Sequence, residues 1–346
     1  MKKFVKKLIL LFISIQFAAC EGNLEPHLYG VVDTGNAFST PADLSAATVA
    51  LYYELRQKGW GPYLFCDGSS FVMDEVSTEE WTTKWSWVAF LNGTWTDADQ
   101  MVKGFYNWTA PNITRCTYTI AKMEESPVTQ SVKDLYIAEV RALRAFFMFD
   151  LYRLYGPMPM ILEADQAINP DPDYKPYRPT AEEVGTFITT ELRAAADALP
   201  IEQAEYGRIT KGAAMGLKSR VLLYQGDWAN AARAAKDVMD LNIYGIHVAY
   251  FNSNAGDIAY PATIVPPHDD EFSDQSWPNG WKNIDPFQSY REMFDGSIIV
   301  SQNEELIFTR GKNQSRESVD IMVVHQLPRN GAGGYGSQGM TQKQCA

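Results

Sequence analysis

The sequence predicts a mainly α-helical fold, in which helix pairs stack on one another and are joined by long irregular loops and few short strands. Two observations predict this class. Apolar residues recur at helical spacing over residues 97–155 and again over 179–244. Residues 59–96 and 252–296 instead combine aromatic residues with Gly, Asp, Asn and Ser or Pro, without a clear period. Long connections of this kind inside compact domains are usually functional.

Three helices are predicted in the first half of the chain. The first spans Pro41 to Lys58, the second spans residues 97–122 with a break at Pro111, and the third spans Thr129 to Tyr155. Apolar residues surround most of the third helix, so we expect it to be deeply buried.

A second helical block occupies residues 179–244. Thr180 and Glu183 form a capping-box pattern at the start of a helix that runs to Leu199, and two further helices follow over 210–225 and 227–241. Residues 214–231 resemble a tetratricopeptide unit, because small Ala residues permit close helix packing and Gly226 permits a left-handed helix end. In that unit Trp228 is expected to be a packing residue. Short extended segments are predicted at 304–309 and 321–324.

The N-terminus has the features of an export signal. Four Lys residues precede an apolar stretch of twelve residues, which is too short to span a bilayer, and Ala18 and Ala19 then precede Cys20. This pattern resembles a bacterial lipoprotein signal, which predicts that residues 1–19 are removed, that Cys20 is lipidated and that 20–40 are a tether. The alternative is an ordinary secretory signal with a coincidental Cys.

The charge of the chain excludes several classes of partner. The net charge is −12, and loss of the four Lys residues in 1–19 would make it −16. Such an acidic chain is not expected to bind nucleic acid, nor to dock electrostatically on anionic lipid. No Cys/His ligand cluster is present, so no metal site is expected. Export would permit a Cys66–Cys116 disulfide, although the spacing does not require it.

Tryptophan is the main pointer to function, with nine residues in the chain. An exposed indole can cover the apolar face of a sugar while nearby polar groups bind its hydroxyls. Trp95 lies in a turn-rich stretch that could not easily bury it, whereas Trp81 and Trp85 are spaced to share one helical face. The candidate ligand-binding residues are Trp95, Asn92, Asp97, Trp81, Trp277 and Trp281.

Catalytic patterns are poor, so we expect a protein that is not an enzyme and has no cofactor. The four His residues are scattered, and the paired acidic residues are typical of a solvated surface. Residues 331–336 fit a dinucleotide-binding pattern only formally, because they do not open a helix. A secreted glycoside hydrolase remains the weakest alternative, since its two carboxylates would need a defined separation.

Several motifs, in order, resemble the SusD/RagB family of outer-membrane lipoproteins. The segment from Glu139 through Arg144 and Phe149 to Tyr155-Gly156 is similar to the family signature E-x-R-x-L-R-A-x-x-x-F followed by Y-G-x-x-P. Further matching segments are 178–200, 210–231 and 303–308, together with the Cys20 region. Residues 41–346 are accordingly expected to form one SusD-like domain.

The resemblance implies a function as well as a fold. Family members build a scaffold of four tetratricopeptide-like helix pairs and bind glycans, or in some branches peptides. They sit as lids on a SusC-like TonB-dependent transporter in the outer membrane and are not enzymes. The alternatives are a peptide-binding RagB-like lipoprotein and a lipid-anchored scaffold for a protein partner.

Two expectations concern stability. Residues 333–341 resemble the lead-in to a family segment that is absent after Gln342, so the chain is expected to be C-terminally truncated, with residues 250–346 loosely held. Glu139 and Arg144 lie on an otherwise apolar helix, which predicts that both are partly buried and paired.

Overall fold

The computed structural model describes residues 37–55, 77–78, 81–83, 88–246, 304–308 and 338–340. These residues form eight helices and a two-stranded sheet. In chain order the elements are α1 (Pro41–Tyr53), β1 (Trp81–Thr83), α2 (Val88–Leu91), α3 (Gln100–Glu125), α4 (Gln130–Tyr155), α5 (Ala164–Ile168), α6 (Ala181–Ala198), α7 (Lys211–Tyr224), α8 (Trp228–Met239) and β2 (Gln338–Met340).

The long helices pack side by side in chain order. Helix α3 packs on α4, α4 on α6, α6 on α7, and α7 on α8, while α1 lies against α4 and α3. Each neighbour buries the apolar face that a single helix pair would leave open. The mainly helical stack predicted from the sequence is therefore confirmed.

Helix α4 is the centre of the core, as its apolar surface predicted. Thirteen of its residues are buried, and Leu143, Met148 and Leu151 are fully enclosed. Helix α6 contributes a narrower stripe that includes Ile188 and Leu192. The core accordingly contains residues from both sequence blocks, which join into one hydrophobic cluster.

The predicted helix ends are largely confirmed. Thr180 and Glu183 form the capping box of α6, with the Thr180 backbone N–H donating to Glu183 Oε2 over 2.7 Å. Thr40 and Asp43 form a second capping box at α1. Gly226 between α7 and α8 has φ of 77°, which a residue with a side chain rarely adopts.

Two predicted helix boundaries in the first half were wrong. Helix α1 ends at Tyr53 rather than at Lys58. Helix α3 continues through Pro111 instead of breaking there. Buried residues on both sides of the proline, including Ile113, hold this helix against its neighbours, and the buried Asn112 side chain donates to the Trp108 carbonyl over 3.2 Å. Tertiary packing here outweighs the local cost of proline.

The expected extended segments and the Trp81 region also differ. Residues 304–308 form turns and bends rather than a strand, and 321–324 lie outside the described residues. Trp81 does not share a helical face with Trp85: it lies in β1, which pairs antiparallel with β2 and aligns Trp81 with Met340. Within the described residues, no helix is both long enough and apolar enough to cross a membrane.

Trp228 is not the packing residue that the tetratricopeptide comparison predicted. It is the first residue of α8 and 68% of its surface is exposed. The close contact between α7 and α8 is instead made by small and aliphatic residues, namely Leu222, Ala231 and Ala234. A large indole is not needed where alanines bring the two helices together.

Candidate functional site

The connection from α2 to α3 carries three of the six predicted ligand-binding residues. Residues 92–99 form an ordered loop in which the Thr94 N–H donates to the Ala89 carbonyl over 2.8 Å and the Gly93 N–H donates to the Phe90 carbonyl. The short helix α2 therefore fixes the first half of this loop, which we call the Trp95 loop.

The second half of the Trp95 loop is held by its own polar side chains. Asp99 Oδ2 accepts a hydrogen bond from the Thr96 backbone N–H over 2.8 Å, and Thr96 Oγ1 accepts one from the Ala98 N–H. Asp99 also precedes the first residue of α3, so the turn is tied to a long helix. Fixed points on both sides of Trp95 limit its backbone freedom.

Trp95 combines exposure with support. Its ring stacks on Phe90, with ring centroids 5.9 Å apart and an interplanar angle of 10°. Phe90 is buried, whereas 51% of Trp95 is exposed. An indole that is supported underneath and open to solvent is a flat apolar surface of the kind on which sugar rings pack.

Polar groups accompany this indole on the same loop. Asn92 lies in the turn that precedes Trp95 and Asp97 lies in the turn that follows it, and both side chains are exposed. An amide can donate and accept hydrogen bonds, and a carboxylate can accept two or more, so both suit a hydroxylated ligand. Asn92, Trp95 and Asp97 therefore lie on one exposed loop, and their role in ligand binding stays a prediction.

A contact between α3 and α4 places the Trp95 loop at one end of the stack. The Tyr155 hydroxyl, at the end of α4, donates to the Val102 carbonyl in the first turn of α3 over 2.6 Å. Tyr155 also packs its ring against Phe105 and Tyr106. The start of α3, and with it Asp99, is therefore held by the most buried helix.

The remaining predicted residues are not assembled into this site. Trp81 lies in β1, and its side chain is not among the described ones. Trp277, Trp281 and Cys20 lie outside the described residues, as does Cys66. Cys116 is a buried free thiol, whose pKa burial raises to about 12.

Sequence reasoning missed Phe90 and Asp99 as supports of the Trp95 loop. An Asp directly before a helix usually indicates an N-cap. Here the Asp99 carboxylate instead accepts a hydrogen bond from the preceding Thr96 N–H and makes none to the first turn of α3. Phe90 gave no signal, because its stacking partner follows five residues later across a turn.

The charged residues of the α4 motif have structural partners. Glu139 is fully buried, and its Oε2 accepts hydrogen bonds from the Tyr52 hydroxyl over 2.7 Å and from Arg208 Nη1 over 3.2 Å. Arg208 in turn donates to Ser45 Oγ, and the Tyr52 hydroxyl accepts from the Ile209 N–H. This cluster joins α1, α4 and the segment before α7.

Arg144 joins its own helix α4 to two others. Its guanidinium donates from Nε and Nη2 to Glu191 Oε2 on α6, and from Nη1 to Thr117 Oγ1 on α3 over 3.1 Å. The Arg144 guanidinium also lies over the Phe187 ring. Glu139 and Arg144 are therefore buried and paired as predicted, each with its own partner on another part of the stack.

Within the described residues, no group of three His, Cys, Asp or Glu side chains is arranged to hold a metal ion. The buried carboxylates of Glu139 and Glu191 are both occupied by arginine.

Comparison with known proteins matches this architecture. A family profile described as "Starch-binding associating with outer membrane" matches residues 41–223. A SusD-like protein of Bacteroides ovatus is 26% identical over 261 residues, covering 72% of this chain and 44% of that protein. The SusD-like protein P38 of Formosa agariphila is 28% identical over 134 residues, covering 39% of this chain and 25% of that protein.

Solved structures show the same fold. The crystal structure of a SusD-like protein from Bacteroides fragilis superposes with a TM-score of 0.66 at 20% identity, covering 90% of this chain and 53% of that one. A SusD-like carbohydrate binding protein from the same species gives a TM-score of 0.52 at 22% identity, covering 62% and 43% of the two chains. The chain thus spans a quarter to about half the length of these proteins, and the family match over residues 41–223 runs from α1 into the last turn of α7. It belongs to the SusD-like family.

Proposed function

We propose that this chain binds a glycan through the Trp95 loop, as a cell-surface lipoprotein of the outer membrane. The observation that carries the proposal is the half-exposed indole of Trp95, stacked on Phe90 and flanked along the loop by Asn92 and Asp97. An apolar ring face beside hydroxyl-binding groups matches the two kinds of surface on a sugar.

The relatives support a glycan rather than a peptide as ligand. The matching family profile is described as starch-binding, and one solved relative is named a carbohydrate binding protein. Another, from Bacteroides thetaiotaomicron, is named surface glycan-binding protein A and superposes with a TM-score of 0.51. We infer that the chain serves nutrient uptake beside a SusC-like TonB-dependent transporter and performs no catalysis itself.

A binding experiment tests the Trp95 loop directly. The full chain would be titrated with maltoheptaose, laminarihexaose and a casein-derived peptide mixture by isothermal titration calorimetry. Trp95→Ala removes the stacking surface, and loss of one aromatic contact should weaken glycan binding by about tenfold. Trp95→Phe, which retains a ring, should weaken it less.

Trp228→Ala is the matched control, because Trp228 is even more exposed but lies on α8, away from the Trp95 loop. It should leave glycan binding unchanged. If the Trp95 and Trp228 variants bind glycans as the wild type does, the assignment of the site is wrong. Binding of the peptide mixture but of neither glycan would instead identify a peptide-binding protein.

The lipid anchor requires a separate test. Cys20→Ser should prevent acylation, so the protein should move from the membrane fraction to the soluble fraction, with no labelling by a palmitate analogue. Cys345→Ser is the control and should remain membrane-bound. A Cys20→Ser protein that stays in membranes would show that this cysteine is not the attachment point.

A further inference from the structure

A cleft on the helix stack has a charge opposite to that of the chain. It has a volume of about 320 Å³ and is bordered by α6, α7 and α8. Three of its lining residues are cations, Arg193, Lys218 and Arg233, and its single carboxylate belongs to Asp237. The cleft therefore carries an excess of positive charge on a chain of net charge −12.

Helical spacing brings these groups together. Thr189 and Arg193 lie four residues apart on α6, and Arg233 and Asp237 lie four apart on α8, so each pair shares one helix face. Lys218 comes from α7, which lies between the other two helices. Three adjacent helices thus direct polar side chains to one place.

Among the described residues no cation of the cleft forms an ion pair with a carboxylate, although the charge of Arg233 adds to the hydrogen bonds from Asn230 in lowering the pKa of Asp227. Arg193 and Lys218 form no ion pair there, and Arg233 donates only to the Ala229 carbonyl of its own helix, over 3.4 Å. Two other surface cations on the stack are paired: Arg115 pairs with Glu54 and Lys236 pairs with Asp240. Arg193 and Lys218 therefore remain available to a ligand.

The floor of the cleft is apolar. Leu222 and Ala234 line it, and both belong to the small buried cluster between α7 and α8. Thr190 and Asn230 add uncharged polar groups that can bond hydroxyls. An apolar floor is unnecessary for a bare ion, but it suits the C–H face of a sugar ring.

We propose that this cleft binds the acidic residue of an oligosaccharide, with the arginines and Lys218 holding its carboxylate or sulfate group and Leu222 and Ala234 contacting its ring. Guanidinium groups bind carboxylate and sulfate-type oxyanions through paired hydrogen bonds. The volume lies at the small end of ligand sites, which fits one or two sugar units. This inference rests on the proposed glycan-binding function and names a second, charge-selective subsite.

The test compares acidic and neutral oligosaccharides of equal length. The full chain would be titrated with trigalacturonate, with a sulfated galactan trisaccharide and with maltotriose. At least one acidic probe should bind. Its affinity should fall with added salt, because salt screens the attraction between the cations of the cleft and the acidic group; the screening length is about 8 Å at physiological ionic strength. Comparing the affinities for trigalacturonate and the sulfated probe shows whether the cleft prefers a carboxylate or a sulfate group.

Two variants of the cleft should change affinity in opposite directions. The double variant Arg193→Gln with Lys218→Gln should bind the acidic probe about tenfold more weakly or worse, whereas Asp237→Asn should bind it more tightly. Lys236→Gln is the control, since Lys236 lies on α8 but is paired with Asp240 outside the cleft. All four residues are on the surface of helices, so thermal melting should confirm that the variants fold.

Failure of this inference can be told apart from failure of the proposed function. If Trp95→Ala weakens neutral glycan binding and no acidic probe binds, the cleft assignment is wrong while the Trp95 site stands. Acidic binding that is lost in Trp95→Ala but kept in the double variant would also overturn the cleft. The cleft assignment would also be wrong if inorganic sulfate bound with the same affinity as the acidic trisaccharide, because the apolar floor would then contribute nothing to binding.

Discussion

The polar clusters around α4 and the Trp95 loop use similar residues for opposite purposes. Around α4, the charges of Glu139 and Arg144 are enclosed and matched by partners from other helices. In the Trp95 loop, Trp95 is half-exposed, and Asn92 and Asp97 lie in open turns. The polar groups around α4 make contacts within the fold, whereas those of the Trp95 loop are exposed to solvent.

This difference shows how to interpret a signature motif. The motif on α4 is the most specific part of the family resemblance, yet its charged residues hold helices together. A buried charge that loses its partner is costly, so such residues are constrained by the fold itself. The proposed ligand-binding residues lie instead on a short loop with no strong motif. The comparison predicts that substitutions in the two regions affect different measurements.

The largest expected effect is the loss of stability in Arg144→Ala. The substitution leaves the carboxylate of Glu191 buried without its closest cation and removes the donor to Thr117. Removal of one partner of a buried ion pair typically costs about 3–5 kcal/mol. Urea unfolding followed by circular dichroism should show a drop of that size in the free energy of unfolding.

Arg220→Ala is the control for this change, because Arg220 is an exposed residue of α7. It should alter stability by no more than about 0.5 kcal/mol. The double variant Arg144→Met with Glu191→Met removes both charges and should recover much of the loss. An Arg144→Ala protein as stable as the wild type would show that the cluster does not support the stack.

A smaller effect on stability is expected for Trp95→Ala. Its stack on Phe90 is an aromatic pair worth about 0.5–1.5 kcal/mol beyond burial of area, and half of the indole is already in water. We therefore expect a loss of about 1 kcal/mol in urea unfolding, together with the loss of glycan affinity described above. A loss as large as that of Arg144→Ala would mean that Trp95 is a core residue, and the contrast between the two regions would fail.

A subtler change tests whether the Trp95 loop is preorganised. Asp99→Ala removes the acceptor for the Thr96 N–H, a hydrogen bond of the kind worth about 1 kcal/mol. Glycan affinity should fall about fivefold because the loop must be ordered on binding, while the melting temperature should hardly move. Asp99→Asn keeps a side-chain oxygen and should retain most of the affinity. Equal affinities for the wild type and Asp99→Ala would show that this turn does not position the site.

Much of the helical stack could be predicted from the sequence, because its determinants are local. The apolar period of α4, the capping box of Thr180 and the glycine turn at Gly226 each need only a few neighbouring residues. Where tertiary contacts decide, local reasoning failed. Pro111 did not break α3, and Trp228 did not pack, because neighbouring helices supplied other contacts.

The candidate site was predicted only in part for the same reason. The turn-rich setting of Trp95 indicated exposure, and the structure bears this out. Its support by Phe90 and Asp99 depends on how the chain reverses between α2 and α3, which composition does not reveal. The cationic cleft needs α6, α7 and α8 to be adjacent, so its three cations, far apart in sequence, gave no local signal.

The smallest expected effects concern pH, where a buried and an exposed glutamate should behave oppositely. Burial raises the pKa of Glu139 above its usual range, although Tyr52 and Arg208 oppose this. Hydrogen bonds from the backbone and side chain of Thr180 lower the pKa of Glu183 in its exposed capping box. A raised pKa means that the folded state holds the proton more tightly, so the Glu139 contribution to stability grows as the pH falls and is lost as the pH rises through the folded-state pKa. The Glu183 contribution is present above the unfolded pKa and is lost as the pH falls through the lowered folded-state pKa.

Urea unfolding of the wild type, Glu139→Gln and Glu183→Gln from about pH 7 to about pH 3 would measure both contributions to stability. Towards acid, the stability of the wild type should rise relative to Glu139→Gln and fall relative to Glu183→Gln. Two difference curves of the same sign would show that burial does not dominate at Glu139, and that its pairing with Arg208 outweighs the cost of enclosing the charge.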